Sequence, residues 1–562
     1  MKARNASWVA RALARVVTLI RGYWVILRTR GPNKVQFWLI ALAIGIAGGG
    51  VALAFRNGIA WIEGLVYGAD DPHLLHSFAG GLPWYLVLFI PMAGGLVVGI
   101  ILHLFTPDGR VRSVADVIEG AALREGRVET RAGLASAAAS LITLATGGSS
   151  GREGPVVHLG AVVSTWVLNR LKADGLTGRD LLGCAVAAAV SASFNAPIAG
   201  ALFAMEVVLR HFAIHAFAPI TIAAVAGAVI SRLQFGTSSE FVLHDSSILV
   251  LYQELPAFLL LGAVCGVVAG LFMQAIFAAE TVAGRLQARF AVPRYLRPAV
   301  AGGILGLMAI WFPHIIGVGY ETTLRALSGD MLLREAMVLA LAKALATAIT
   351  MGGRMGGGVF SPSMMLGALT GLAFGFVATS LFPDQSGSVS LYALAGLGGV
   401  AAAVLGAPIS TTLIVFELTG DWTTALAVMV TVSISTAIGS RMVKRSFFLT
   451  QLERRGIHLA AGPQQYLLCL FRIAAVMRPP EAQGAAPEDA CWALVEKGLY
   501  LDPNATLEAA FPVFERSLEP FIPVISPPAP DTPPRLLGAL FYVDALRCYN
   551  KALAATASEE HS

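Results

Sequence analysis

Residues 146–160 read TGGSSGREGPVVHLG, and within them Arg152 and Glu153 stand side by side between glycines in a chain that otherwise avoids charge. A glycine-rich loop followed by Pro155 reads as a helix start, because proline tolerates the first turn and lacks the N–H that would go unpaired there. The free N–H groups at such an end, together with the positive end of the helix dipole, hold an anion without help from a cation. An ionised carboxylate at membrane depth is costly and is a functional candidate on that ground alone. Glu153 sits where a small anionic ligand would itself bind, and Gly151 and Gly154 let backbone come close to that ligand. The chemistry selects an anion; it does not by itself say which.

The elements that must carry this site are membrane helices. The chain has 562 residues, 56% of them hydrophobic and 13% charged, with a mean hydropathy of +0.70. That excludes a soluble domain and indicates a polytopic membrane protein. Apolar runs cover residues 37–55, 84–105, 182–209, 255–277, 361–382 and 425–438. Several are shorter than the roughly 20 residues a simple span needs, or are broken by glycine and proline, so the runs alone do not fix the number of spans. The first 34 residues hold eight basic side chains, and no acidic residue precedes Glu63. By the positive-inside rule this basic N-terminal segment is cytosolic. It lacks the short apolar core and cleavage site of a signal peptide, and beside a membrane span it does not read as a nucleic-acid arm. Cys184, Cys265, Cys469, Cys491 and Cys548 show neither metal-ligand nor disulfide spacing. No cofactor and no metal is expected.

The chain repeats itself. GREGPVVHLGA (151–161) lies over GVFSPSMMLGA (358–368) at an offset of 207, and APIAGALFAMEV (196–207) over APISTTLIVFEL (407–418) at an offset of 211. Two matches in the same order at nearly one offset indicate a duplicated membrane unit, with halves of about 35–235 and 248–445. Such duplications build transporters whose site lies near the bilayer midplane, at the ends of interrupted helices. Non-helical backbone is tolerated there only where it is buried or lines a cavity. Glu206 falls on Glu417, which predicts a capping or interhelical role for both. His158 falls on Met365, which predicts packing.

GREGPVVH, GVFSP and a serine before Glu119-Gly120 together resemble the ClC family of chloride channels and proton/chloride exchangers, over roughly residues 35–456. The resemblance implies an all-α membrane fold of two inverted-topology repeats of tilted, interrupted helices, and a homodimer with one pore per subunit. Glu153 matches the family's gating glutamate, which mimics an anion and swings away when protonated or displaced by chloride. Gly151, Arg152 and Gly154 belong to the same motif, with Arg152 read as a charge partner or surface anchor. RSVAD (112–116) occupies the place of the usual GSGIP, and Ser113 falls on the chloride-coordinating serine. The backbone amides of Val359 and Phe360 match those that bind the central chloride.

Two departures bear on mechanism. In RSFFLTQLERRG (445–456), Phe448 stands where the family has a tyrosine that donates its hydroxyl to chloride, so the central anion should be held more weakly. In FAMEVVLR (203–210), Val207 replaces the second glutamate by which many exchangers pass protons. The expectation is therefore passive, gated, chloride-selective conduction, with protons acting at Glu153; the alternative is a chloride/proton antiporter, weakly coupled. Ser113 and the intact GREGP argue against the family's fluoride-specific branch. The implied setting is the inner (plasma) membrane, with both the N-terminus and the C-terminal tail cytoplasmic.

After residue 456 the character changes. Residues 457–499 read as a linker, with VMRPPEAQGAAPEDA at 476–490, and 500–554 as a small α/β module resembling a cystathionine-β-synthase-type (CBS) domain. Asp502 or Asn504 is expected to open a helix with Leu507, Ala510, Phe511 and Phe514 on its apolar face. Asp544 holds the place of a ribose-contacting acid, but Phe541 replaces the usual Thr or Ser, which argues against nucleotide binding. Two rivals fit less well. GGSSGREG lacks the Gly-Lys-Ser/Thr of a nucleotide P-loop and the ten histidines are dispersed, so an enzyme is not expected. A membrane-anchored sensor has no need of Ser113, Glu153 and the amide positions together.

Overall fold

The computed structural model describes residues 34–69, 71, 74–171, 175–212, 214–236, 251–383, 386, 388–457, 459, 468, 471–503, 505–526 and 535–560. The basic segment before Lys34, Cys469 and Asn504 lie outside the described residues. The first half contains α1 (Lys34–Tyr67), α2 (Leu75–Gly80), α3 (Trp84–Phe105), α4 (Val114–Leu123), α5 (Thr130–Ala145), α6 (Glu153–Leu171), α7 (Gly175–Phe194), α8 (Pro197–Phe203, running into a π-helical turn at Ala204–Leu209) and α9 (Ile214–Phe235). The second contains α10 (Leu251–Arg289), α11 (Arg297–Trp311), α12 (Tyr320–Leu327), α13 (Leu333–Gly352), α14 (Phe360–Leu381), α15 (Val389–Leu405), α16 (Pro408–Thr419) and α17 (Trp422–Met442), with α18 (Phe447–Glu453) after it. Among the described residues, seven helices are long and apolar enough to cross a membrane.

With α2 set aside, the order of the first half recurs as α10–α17. The halves meet through reciprocal contacts. Gly151 N donates to Gly358 O and Gly358 N to Gly151 O, each at 2.7 Å. Glu206 accepts from Ile409 N (3.0 Å), Ser410 N (2.8 Å) and Ser410 Oγ (2.7 Å) at the start of α16. Glu417 accepts from Ile198 N (3.0 Å) and Ala199 N (2.8 Å) at the start of α8. Exchange of equivalent partners in both directions is what a two-fold relation between repeats produces. It also answers the orphan N–H groups that every helix start presents: each glutamate caps the other half's helix.

Related helices touch at glycines. A Cβ on Gly95 of α3 would lie 2.2 Å from Pro298 O, and one on Gly302 of α11 would lie 2.0 Å from Pro91 O. In the lipid these close approaches supply packing that no hydrophobic effect between helices would. At the centre, α15 is buried on all sides from Leu391 to Leu405, as an apolar helix without a polar face must be.

The C-terminal tail holds α19 (Ile473–Val476), α20 (Glu488–Glu496), α21 (Leu507–Ser517), the antiparallel pair β1 (Phe521–Ile525) and β2 (Leu536–Phe541), and α22 (Tyr542–Glu560). Two expectations need correcting. The folded tail reaches back to Phe471, because Leu507 N donates to Phe471 O (3.0 Å), and Arg478 and Ala539 exchange backbone hydrogen bonds at 2.9 and 3.0 Å. Ile473 joins the core of Leu507, Phe514, Ile522 and Leu540, so much of 457–499 is built into the module rather than linking to it. And α21 begins after Thr506, not at Asp502.

Candidate functional site

Two glycine loops, 146–152 and 353–359, converge where α6 and α14 start. They are tied across the repeats: Ser149 N donates to Thr350 Oγ1 (3.1 Å), Gly356 N to Thr143 Oγ1 (2.9 Å) and Ser150 Oγ to Gly356 O (3.1 Å). Gly357 has φ +119°, and a Cβ there would come within 2.1 Å of Ser150 Oγ. Only glycine meets both demands.

Between these ends lies a cavity of about 70 Å³ lined by Ser113, Glu153, Gly154, Val359, Phe360 and Phe448. The structure thus gathers six of the sequence-predicted positions into one wall. Glu153 is 2% exposed and its Oε1 accepts the Ser361 hydroxyl at 2.5 Å. A Cβ on Gly151 would meet Glu153 Oε2 at 2.6 Å, so glycine there makes room for the folded-back carboxylate. Phe360 packs on Phe194 (4.8 Å) and Phe203 (6.0 Å), and Phe448 sits edge-on to Phe447, which stacks on Phe277 at 5.1 Å.

Ser113 starts α4 at the cavity wall. Its N–H donates to Asp116 Oδ2 (2.7 Å), and Asp116 Oδ1 pairs with Arg455 (2.9 Å). Just before it, Arg112 bridges Asp108 and Glu129 at 2.8 Å each, and its N–H donates to Ser136 Oγ. Burial would raise the Asp108 carboxyl, but hydrogen bonds from Arg112 and Arg110 and their charges hold it down to about 2. Arg110, Arg354 and Arg455 also line the cavity, with Glu280; Asp108 offsets the charge of Arg110 and Asp116 that of Arg455.

Other predicted residues lie elsewhere. Arg152 projects into a separate cavity of about 170 Å³ shared with Glu63 and Tyr320; its guanidinium donates to Ser193 O at 3.3 Å and lies 4.8 Å over the Tyr320 ring. Val207 is buried in the π-helical turn. His158 wedges against Gly133 of α5, where a Cβ would be 2.7 Å from its Nε2. Asp544 is held by Arg478 at 2.6 Å, and that guanidinium lies 4.2 Å over the Phe541 ring. Sequence reasoning missed Ser361, whose match in the first repeat is Gly154, and Gln451, which also lines the cavity.

The fold and this two-helix anion junction define a polytopic ion-translocating membrane protein. Residues 94–440 match the sequence model of the voltage gated chloride channel family, and the chain belongs to that family. A ClcB-like protein of Ralstonia nicotianae is 31% identical over 395 residues, covering 69% of this chain and 90% of its own. The voltage-gated ClC-type chloride channel ClcB of Escherichia coli is 28% identical over 415 residues, covering 73% and 97%. Among solved structures, a slow cyanobacterial Cl−/H+ antiporter overlays with a TM-score of 0.67 at 20% identity, over 75% of this chain and 98% of its own. A eukaryotic CLC transporter overlays at 0.64 and 17% identity, over 91% and 98%. The protein is a ClC-family chloride channel or transporter.

Proposed function

We propose that this protein conducts chloride passively, through a pore in each subunit of a homodimer, with Glu153 as the gate. The observation that carries the reading is the Glu153 carboxylate itself, buried between the N-terminal ends of α6 and α14 and hydrogen-bonded by Ser361. It occupies the place of an anion, and protonation or competition by chloride releases it. Ser113 and the amides of Val359 and Phe360 line the same cavity and are assigned to the anion.

Channel rather than exchanger rests on Val207, which offers no protonatable group at the turn where many exchangers carry one. The basic first 34 residues support a plasma-membrane setting with the N-terminus and tail in the cytoplasm. The Arg478–Asp544 pair supports a stabilising rather than nucleotide-binding tail. The test is proton movement in chloride-loaded proteoliposomes under a chloride gradient, with chloride efflux recorded in parallel. Fast efflux that needs a potassium shunt and carries no protons is expected; uphill proton movement would make the protein an exchanger.

A further inference from the structure

The anion cavity should be short of one donor, because Phe448 keeps an aromatic ring but has no hydroxyl. The structure supplies another donor nearby. Gln451 follows Phe448 by three residues on α18, so the two share a face, and both line the cavity with Ser113, Val359 and Phe360. Gln451 Oε1 accepts the Ser113 hydroxyl at 3.3 Å. A side-chain amide has one acceptor arm and one arm with two donors. With Oε1 on the Ser113 side, Nε2–H₂ is the arm for the cavity; the one Ser113 proton serves Oε1 or an anion, not both, and the Nε2 arm remains for the cavity either way.

The surroundings favour that use. The starts of α4 and the end of α18 are clipped together twice, by Ser113–Gln451 and by Asp116–Arg455 (2.9 Å). The second contact neutralises Arg455 next to the cavity. A neutral amide then polarises toward an anion without adding a fixed charge, which suits conduction: binding must be strong enough for the ion to enter and weak enough for it to leave.

We propose that Gln451 is an anion ligand of the pore, its Nε2–H taking the part of the hydroxyl that residue 448 lacks. This rests on the reading of the cavity as the chloride site. Chloride binding by calorimetry on the purified full-length protein tests it. Q451L is expected to weaken chloride binding about 3- to 10-fold, the size of one neutral hydrogen bond, and Q451E to weaken it further. F448Y in the Q451L background is expected to restore binding to within about twofold of wild type, since it returns a donor to the same wall. Anion preference, read as the bromide-to-chloride efflux ratio, shifts in Q451L; a residue that only clips α18 to α4 would lower the melting temperature and leave that ratio alone. Wild-type affinity and wild-type ratio in both Q451L and Q451E, with native elution profiles, overturn the assignment while leaving the pore reading intact. A wild-type protein that neither binds nor passes chloride overturns the pore reading, and this assignment with it.

Discussion

The two halves start equivalent helices from glycine-rich loops and then place opposite chemistry there. At the head of α6 stands Glu153, and at the head of α14, at the offset of 207, stands Phe360. The next residue differs as well: Gly154 after the glutamate, Ser361 after the phenylalanine. One half carries a buried carboxylate and the other a hydroxyl that donates to it at 2.5 Å, the contact that the proposed gate would have to break. Duplication provides the scaffold; the proposed gate rests on asymmetry at two adjacent positions.

The sharpest way to break this comparison is to make the halves alike. Glu153→Ala is expected to abolish pH-dependent gating while chloride efflux persists at every pH; loss of efflux in well-folded protein would refute the role. Ser361→Ala removes a hydrogen bond to a charged group, worth about 1.5–3 kcal/mol, and should raise efflux at neutral pH by roughly tenfold or more. It should do nothing further in a Glu153→Ala background, and independent effects of the two would contradict the pairing.

A smaller effect separates the two caps. Glu206→Gln and Glu417→Gln each weaken a helix start and should each cost about 1–3 kcal/mol. Glu206, with three accepted bonds against two for Glu417, should show the larger fall in melting temperature in detergent. The reverse order would mean that the number of accepted bonds does not set the strength of each cap.

The smallest effect is on the loop-side histidine. Burial, then the nearby His314 and Arg325, push His76 down to about 3, so its 2.9 Å contact with Glu321 is a neutral one at ordinary pH. Its folded pKa lies below the unfolded value of 6.5, so its contribution to stability is intact above that value and is lost as pH falls toward 3. His76→Gln should flatten the acid side of a melting curve and leave the pH profile of efflux, which the proposal assigns to Glu153, unchanged.

Much of this was legible in the residues. GREGP with its shifted copy GVFSP exposed both the duplication and the helix start that carries Glu153, because glycine and proline spacing constrains backbone directly. Capping by Glu206 and Glu417 followed from their alignment, although not the exchange of partners between halves. Ser361 was hidden because its match is Gly154, and only the fold brings residue 361 back to residue 153. Gln451 was hidden for a related reason: helical periodicity over one short element decides which neighbour of Phe448 faces the cavity. In the tail, the proline- and glycine-rich composition of 476–490 read as linker, yet Arg478 pairs with β2 and Asp544, contacts that composition does not encode.

The exchanged caps also set a schedule for biosynthesis. The N–H groups of Ile198 and Ala199 have their acceptor at Glu417, 219 residues downstream of Ile198. At roughly 5–20 residues per second, the ribosome needs about 11 to 44 s to reach it. For that interval the first half sits in the lipid with α8 uncapped. A nascent chain stalled before Glu417 should therefore be a target for quality control, and the second half acts as the first half's chaperone as well as its counterpart.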